Sequence, residues 1–138
     1  VPFRACDCSE AIVEQAISEH RASGIEFFVR SVFDLGDGDA ADLVIACEML
    51  EHVEQPERAL DALAAVTGKY CVLSVPDEPL WRVLNVARLH YLSSLGNTPG
   101  HVNHWSTKSF VRFAERRFHV LDVRTPIPWT VLLCEKKR

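Results

Sequence analysis

Short apolar segments alternate along this chain with segments of helical periodicity. Four mainly apolar runs lie at residues 3–6, 25–29, 42–47 and 70–75. Apolar runs without polar alternation are typical of strands that are buried on both faces. Because helical segments separate these runs, the sequence predicts parallel strands in one sheet that is covered by helices, which is an α/β fold.

The last part of the chain predicts a different connection. Two further strands are expected at residues 118–123 and 129–134, and the link between them contains Thr-Pro-Ile-Pro. A link of this length is too short for a helix, so the pair should form an antiparallel hairpin. The predicted fold is therefore a doubly wound, mostly parallel sheet with a C-terminal hairpin, and Ser106 is expected to cap a helix before it.

Composition excludes several classes of function. The chain has 138 residues, enough for one domain, and its net charge of −4 gives no footprint for non-specific nucleic-acid binding. No apolar stretch approaches the roughly 20 residues of a membrane span. Five cysteines without C-x-x-C spacing argue against a disulfide framework and favour a reducing, cytoplasmic location.

Acidic residues follow two of the predicted strands. Asp7 lies where the first strand meets a helix, and in doubly wound folds an acid there accepts hydrogen bonds from ribose hydroxyls. Glu48, Glu51 and His52 follow the third strand, at the edge of the sheet where ligands bind. The alternative is that Asp7 simply ends a strand and that Glu51 and His52 are solvated loop residues.

The pair His101-x-x-His104 has a spacing that suits two metal ligands on one helical turn. No third ligand is evident nearby, and zinc sites normally use three or four protein ligands. The sequence therefore predicts no metal, and it leaves a role in the substrate pocket and a structural role open for both histidines.

Residues 80–95 are unusually apolar, with a narrow polar stripe. This segment could cover the substrate, dock a partner chain or lie on a membrane surface. A lid is the favoured interpretation, so residues 78–100 are expected to be a lid or insertion within a single domain that spans residues 1–138.

The ordered set of motifs resembles one family. The run ADLVIACEMLEHVEQPERAL is similar to the fourth-strand motif of class I S-adenosylmethionine-dependent methyltransferases, especially the small-molecule branch of ubiquinone and menaquinone biosynthesis. ACDCSEAIVEQA resembles their second-strand motif, IEFFVRSVFDL the third and KYCVLSVPDEP the fifth. GHVNHWSTKSFVRFAERRF resembles the late histidine, capped helix and sixth strand of the family.

The resemblance implies a cofactor site and a reaction. Asp7 would bind the ribose of S-adenosylmethionine, Ser31 and Val32 would flank the adenine, and Cys47 and Glu48 would lie beside the methionine end. The implied reaction is methyl transfer to a small-molecule acceptor, in which the protein mainly orients and desolvates the reactants. Candidates for a general base that acts on a hydroxyl or amine acceptor are His52, His101 and His104.

The sequence also departs from the family. Only two residues precede the second-strand motif, so the first strand and its glycine-rich loop are missing, and the domain is expected to be incomplete at its N-terminus. Ser31 stands where relatives often carry Asp. These departures leave open an inactive methyltransferase-like binding module. A nicotinamide-dependent oxidoreductase is a second alternative because it would also use Asp7, although the C-terminal hairpin and the E-x-L-E-H-V element argue against it.

Overall fold

The computed structural model describes residues 2–21, 24–78 and 101–137. The strands in these ranges are β1 (Phe3–Asp7), β2 (Ile25–Val29), β3 (Ala41–Cys47), β4 (Thr67–Pro76), β5 (Phe118–Arg124) and β6 (Trp129–Lys136). The α-helices are α1 (Glu10–Glu19), α2 (Pro56–Val66) and α3 (Thr107–Ala114), and short 3-10 helices occur at Val32–Asp34, Asp37–Asp39 and Leu50–His52. The segment predicted to be a lid lies almost wholly outside these ranges. Within them, no helix is both long and apolar enough to cross a membrane.

The pairing of the strands confirms an α/β fold with a C-terminal hairpin. β1 pairs in parallel with β2, and β3 pairs in parallel with β4. β6 pairs antiparallel with both β4 and β5, which gives a four-stranded sheet in the order β3-β4-β6-β5. The hairpin thus lies beside β4.

The expectation that the first four strands share one hydrogen-bonded sheet is wrong for the described residues. β1 and β2 form a two-stranded sheet of their own, and β1 does not pair with β3. The prediction that these strands are buried on both faces holds only for β4: Phe3 is 61% exposed, Leu43 47% and Ile45 61%. The physical reason is that, among the described residues, β1 and β3 each have a strand partner on one edge only. Helix α1 packs against β1 and β2.

The core lies between the four-stranded sheet and helices α2 and α3. Trp105 packs against Phe110 and Phe113 of α3, with ring centroids 5.6 and 5.3 Å apart. α3 begins after Ser106, whose hydroxyl accepts a hydrogen bond from the Ser109 N–H at 3.3 Å, as the sequence predicts. α2 begins at Pro56. Proline has no N–H, but the N–H at the first position of a helix has no partner within the helix, so no hydrogen bond is lost.

Replacing Leu73 with Ala should lower the free energy of unfolding by about 2–5 kcal/mol, because this fully buried side chain of β4 would leave a cavity. Urea unfolding measures the change. The control is Leu121→Ala in β5, where the side chain is 52% exposed and the expected loss is about 1 kcal/mol or less. Equal losses would contradict the position of the core.

Candidate active site

A cavity of about 450 Å³ lies at the carboxyl ends of β1, β2 and β3. Parallel strands bring their carboxyl ends to one edge of a sheet, and side chains that follow each strand therefore meet there. The cavity is lined by all five residues that the sequence assigns to the cofactor: Asp7, Ser31, Val32, Cys47 and Glu48. The structure thus brings together residues that are up to 41 positions apart.

Asp7 ends β1 and links it to its neighbours. Its Oδ1 accepts a hydrogen bond from the Ser9 N–H at 2.7 Å, and its main-chain carbonyl accepts one from the Arg30 N–H at 2.9 Å. The other carboxylate oxygen, Oδ2, has no hydrogen-bond partner among the described residues. The side chain is therefore held at the cavity with one oxygen available for a ligand.

Ser31 directly follows β2 at the start of a short 3-10 helix. Its hydroxyl oxygen accepts a hydrogen bond from the Phe33 N–H at 3.3 Å. A hydroxyl has one donor and two acceptor sites, so the Ser31 hydroxyl can still donate a hydrogen bond to a ligand or accept one from it. Val32 and Phe33 add half-buried apolar surface beside it, and both line the cavity.

Glu48 has a left-handed backbone, with φ of 52°, at the point where the chain leaves β3. Its carboxylate accepts two hydrogen bonds, from the Ser74 hydroxyl at 2.7 Å and from the Trp129 indole N–H at 2.7 Å. Its own N–H donates to the Ser74 carbonyl at 3.1 Å. Contacts with β4 and β6 therefore fix the turn that carries the chain from Cys47 into the cavity wall.

The three predicted histidines lie in different environments. His52 is exposed and lines the cavity. His101 is buried, and its ring contacts the ring of His52 edge-on, with centroids 4.9 Å apart. His104 is exposed. Neither His101 nor His104 is among the residues that line the cavity, so of the three only His52 is placed to act directly on a molecule inside it.

Glu51 is buried, which excludes its interpretation as a solvated loop residue. Its side chain is 1% exposed. Burial, together with the nearby carboxylates of Glu48 and Glu78, raises the pKa of Glu51 from 4.5 to about 7. The two acids of the loop after β3 therefore differ in environment. Glu48 accepts hydrogen bonds from donors, whereas Glu51 is desolvated.

Sequence reasoning missed two residues that organise this region. Glu78 Oε1 lies 2.6 Å from His101 Nδ1, and both side chains are buried. The Asn103 amide donates hydrogen bonds to the carbonyls of Leu50, at 3.1 Å, and Val53, at 2.6 Å. Both residues belong to the motifs that carry the family resemblance, but the contacts cross 23 to 53 positions, so no local pattern reveals them.

Comparisons with known proteins agree with this geometry. A profile of the methyltransferase domain family matches residues 4–117. No curated protein sequence matches the chain significantly. The chain therefore belongs to the methyltransferase domain family on the strength of the profile, and its resemblance to class I methyltransferases is confirmed, whereas the narrower likeness to the ubiquinone and menaquinone branch remains a prediction.

Solved structures share the fold at low sequence identity. The magnesium protoporphyrin IX methyltransferase ChlM of Synechocystis PCC 6803, with bound S-adenosylhomocysteine, is 19% identical and has a TM-score of 0.71, over 99% of this chain and 65% of that one. The N-methyltransferase NodS of Bradyrhizobium japonicum WM9, also with S-adenosylhomocysteine, is 12% identical and has a TM-score of 0.71. The match covers 99% of this chain and 67% of the NodS chain. An S-adenosylmethionine-dependent methyltransferase of Mesorhizobium loti is 14% identical and has a TM-score of 0.72. The match covers 98% of this chain and 80% of that chain. The present chain thus spans slightly less than two thirds of the length of ChlM.

Replacing Asn103 with Ala should lower the free energy of unfolding by about 1–3 kcal/mol, because the carbonyls of Leu50 and Val53 would lose their donor. Chemical denaturation measures the change. Glu54→Ala is the matched control, since Glu54 is an exposed residue of the same loop and its removal should be close to neutral. A neutral Asn103→Ala variant would show that the amide does not hold the loop.

Proposed function

We propose that this domain carries out S-adenosylmethionine-dependent methyl transfer to a small-molecule acceptor. The observation that carries the proposal is the single cavity that joins Asp7, Ser31, Val32, Cys47 and Glu48. The cavity volume falls within the range of small-molecule sites, about 300–1,000 Å³. Membership of the methyltransferase domain family favours this function over nicotinamide-dependent oxidation, which Asp7 alone would also allow.

The residues present fit this cofactor. The oxygen of Asp7 that has no partner suits a ribose hydroxyl, and a carboxylate accepts such bonds strongly. The Ser31 hydroxyl and the apolar surfaces of Val32 and Phe33 suit an adenine ring, which needs polar contacts at its edge and apolar contacts on its faces. Glu48 contributes negative charge at the methionine end.

The chemistry requires little covalent participation from the protein. The bound cofactor supplies a methyl group on a sulfonium, which is already an activated leaving group. The chain orients the reactants and excludes water from them. A hydroxyl or amine acceptor must also lose a proton, and His52, which lines the cavity, is the histidine placed for that task.

The proposal also includes a further strand between β1 and β3. Both strands border the same cavity, and within the described residues each has a free edge. The exposed apolar side chains of Phe3, Leu43 and Ile45 lie on these same two strands. A strand of the same protein would pair with both free edges and place apolar neighbours beside these side chains, and the glycine-rich loop of the family after it would add backbone N–H groups for the carboxypropyl arm of the cofactor.

A reducing compartment such as the cytoplasm is part of the proposal. All five cysteines have free thiols, although Cys71 and Cys134 face each other across β4 and β6. Burial raises the pKa of each of these two thiols to about 12, so both remain protonated and unreactive at neutral pH.

Replacing Asp7 with Asn in the full-length protein should weaken the binding of S-adenosylmethionine and S-adenosylhomocysteine by about tenfold or more, because each charge-assisted ribose hydrogen bond contributes about 1.5–3 kcal/mol. Asn retains an acceptor for the Ser9 N–H, so the local turn is preserved. Calorimetric titration measures the dissociation constants.

Asp37→Asn serves as the control for this titration, because Asp37 is an exposed acid outside the cavity. An unchanged dissociation constant in Asp7→Asn would remove Asp7 from the site. Tight binding of a nicotinamide dinucleotide by the unmodified protein would favour the oxidoreductase. Absence of binding to either cofactor would favour a binding module.

Residues 1–138 alone should bind S-adenosylmethionine weakly or not at all, because the loop expected to hold its carboxypropyl arm would be absent. The same titration, performed on these residues and on the full-length protein, tests the proposed strand and loop. Equally tight binding by both would show that the cofactor is held by the described cavity alone.

A further inference from the structure

Three side chains form a compact cluster beside the cavity: Glu51, His52 and His101. One potential ligand atom from each lies within 4.8 Å of the other two. Around a four-coordinate ion, with metal–ligand distances of about 2.0–2.2 Å, ligand atoms lie roughly 3.4 Å apart. Small side-chain rotations would therefore bring the three atoms onto one ion.

The main chain holds this cluster in place. The Glu51 carbonyl accepts hydrogen bonds from the N–H groups of Val102 and Asn103, at 2.9 and 3.1 Å. The Asn103 amide donates to the carbonyls on both sides of the cluster, those of Leu50 and Val53. Four hydrogen bonds thus join the two segments that supply the side chains, so the cluster is a fixed feature of the fold.

Neither carboxylate oxygen of Glu51 accepts a hydrogen bond from another residue in the described part of the chain. The side chain is 1% exposed. Buried carboxylates in proteins are paired or coordinate metals, because an isolated buried charge is very unfavourable. The acids of Glu48 and Glu78 nearby make the surroundings more negative, and this increases the attraction for a cation.

The ring of His101 is oriented by Glu78. Nδ1 lies 2.6 Å from Glu78 Oε1, and the two side chains are 6% and 3% exposed. A carboxylate accepts the proton of Nδ1, which leaves the lone pair of Nε2 for a ligand. Metal-binding histidines are typically held by a carboxylate in this way, and that contact sets both the tautomer and the direction of the ring.

We propose that Glu51, His52 and His101 bind one divalent transition-metal ion, with Glu78 as the positioning residue of His101. Two imidazole nitrogens and one carboxylate suit Zn²⁺ and the neighbouring first-row ions, whereas Mg²⁺ prefers oxygen ligands. The proposed ligands therefore come from two separate segments, and they include His101 but not His104 of the pair His101-x-x-His104.

The position of the ion gives it a function. Three protein ligands leave at least one coordination position open, and His52 also lines the cavity. An ion there would bind the oxygen or nitrogen of the acceptor and lower its pKa, so that the acceptor's proton passes to solvent water rather than to His52, whose nitrogen would be bound to the ion. This role rests on the proposed methyl transfer, whereas the binding of the ion does not.

The test is titration of the full-length, chelator-treated protein with Zn²⁺, in the absence of S-adenosylmethionine. One ion should bind per chain, and Glu51→Gln should weaken the affinity at least about tenfold. Glu78→Gln, which keeps the size of the side chain, should weaken it by about 10- to 100-fold. His119→Gln, which removes an exposed histidine of β5, is the control and should leave the affinity unchanged.

Two further measurements keep the test decisive. In ¹⁵N spectra of the imidazole rings, Zn²⁺ should shift the nitrogens of His52 and His101 in the unmodified protein. Zn²⁺ should also raise the thermal stability of the unmodified protein but not that of Glu51→Gln, because only the former has the complete site in its folded state.

Absence of stoichiometric binding would overturn the proposal, and so would equal affinity in Glu51→Gln. The latter result would indicate binding at the exposed thiols of Cys6, Cys8 and Cys47. Binding of Zn²⁺ together with failure to bind S-adenosylmethionine would contradict the proposed methyl transfer and leave the metal site standing.

Discussion

The left-handed backbone of Glu48 sets the geometry of the site. A non-glycine residue in this conformation costs roughly 1–2 kcal/mol, and φ of 52° at Glu48 lies in that region. Hydrogen bonds to its carboxylate from Ser74 and Trp129 offset the cost. The turn ends β3 and directs the chain into the 3-10 helix Leu50–His52, which buries Leu50 in the core and leaves His52 at the cavity.

An apolar anchor positions the second half of the site. Trp105 packs with Phe110 and Phe113 in the core, and its carbonyl accepts a hydrogen bond from the Glu78 N–H at 3.0 Å. That bond places the Glu78 carboxylate beside His101, four residues before the anchor. The polar contacts of His101 therefore depend on the same core that stabilises α3, and the geometry of the site and the stability of the fold are physically coupled.

The features that the sequence predicts are those with a local signature. Parallel pairing, the hairpin at 124–129 and the cap at Ser106 follow from periodicity, chain length and a single side chain. The apolar runs of β1 and β3 predict more burial than the structure shows, because burial depends on what covers a strand and its own residues do not encode that. The residue pattern places Asp7, Glu51 and His52 at the ligand-binding edge, but it also allows Asp7 to be a strand-end acid and Glu51 and His52 to be solvated. The assignment of a shared cofactor cavity therefore rests on the family resemblance.

The histidines show why spacing misleads when the local structure is wrong. Two histidines three positions apart share a face only in a helix, but residues 101–104 are not helical, and α3 starts at Thr107. His101 instead faces a residue on another segment, His52, while Glu78 holds its far side. The proposed cofactor contacts at Asp7 and Ser31 and the proposed ion contacts at Glu51 and His101 thus belong to two separate sets of residues. His52 belongs to the ion cluster and also lines the cavity, so it is the side chain that joins the two.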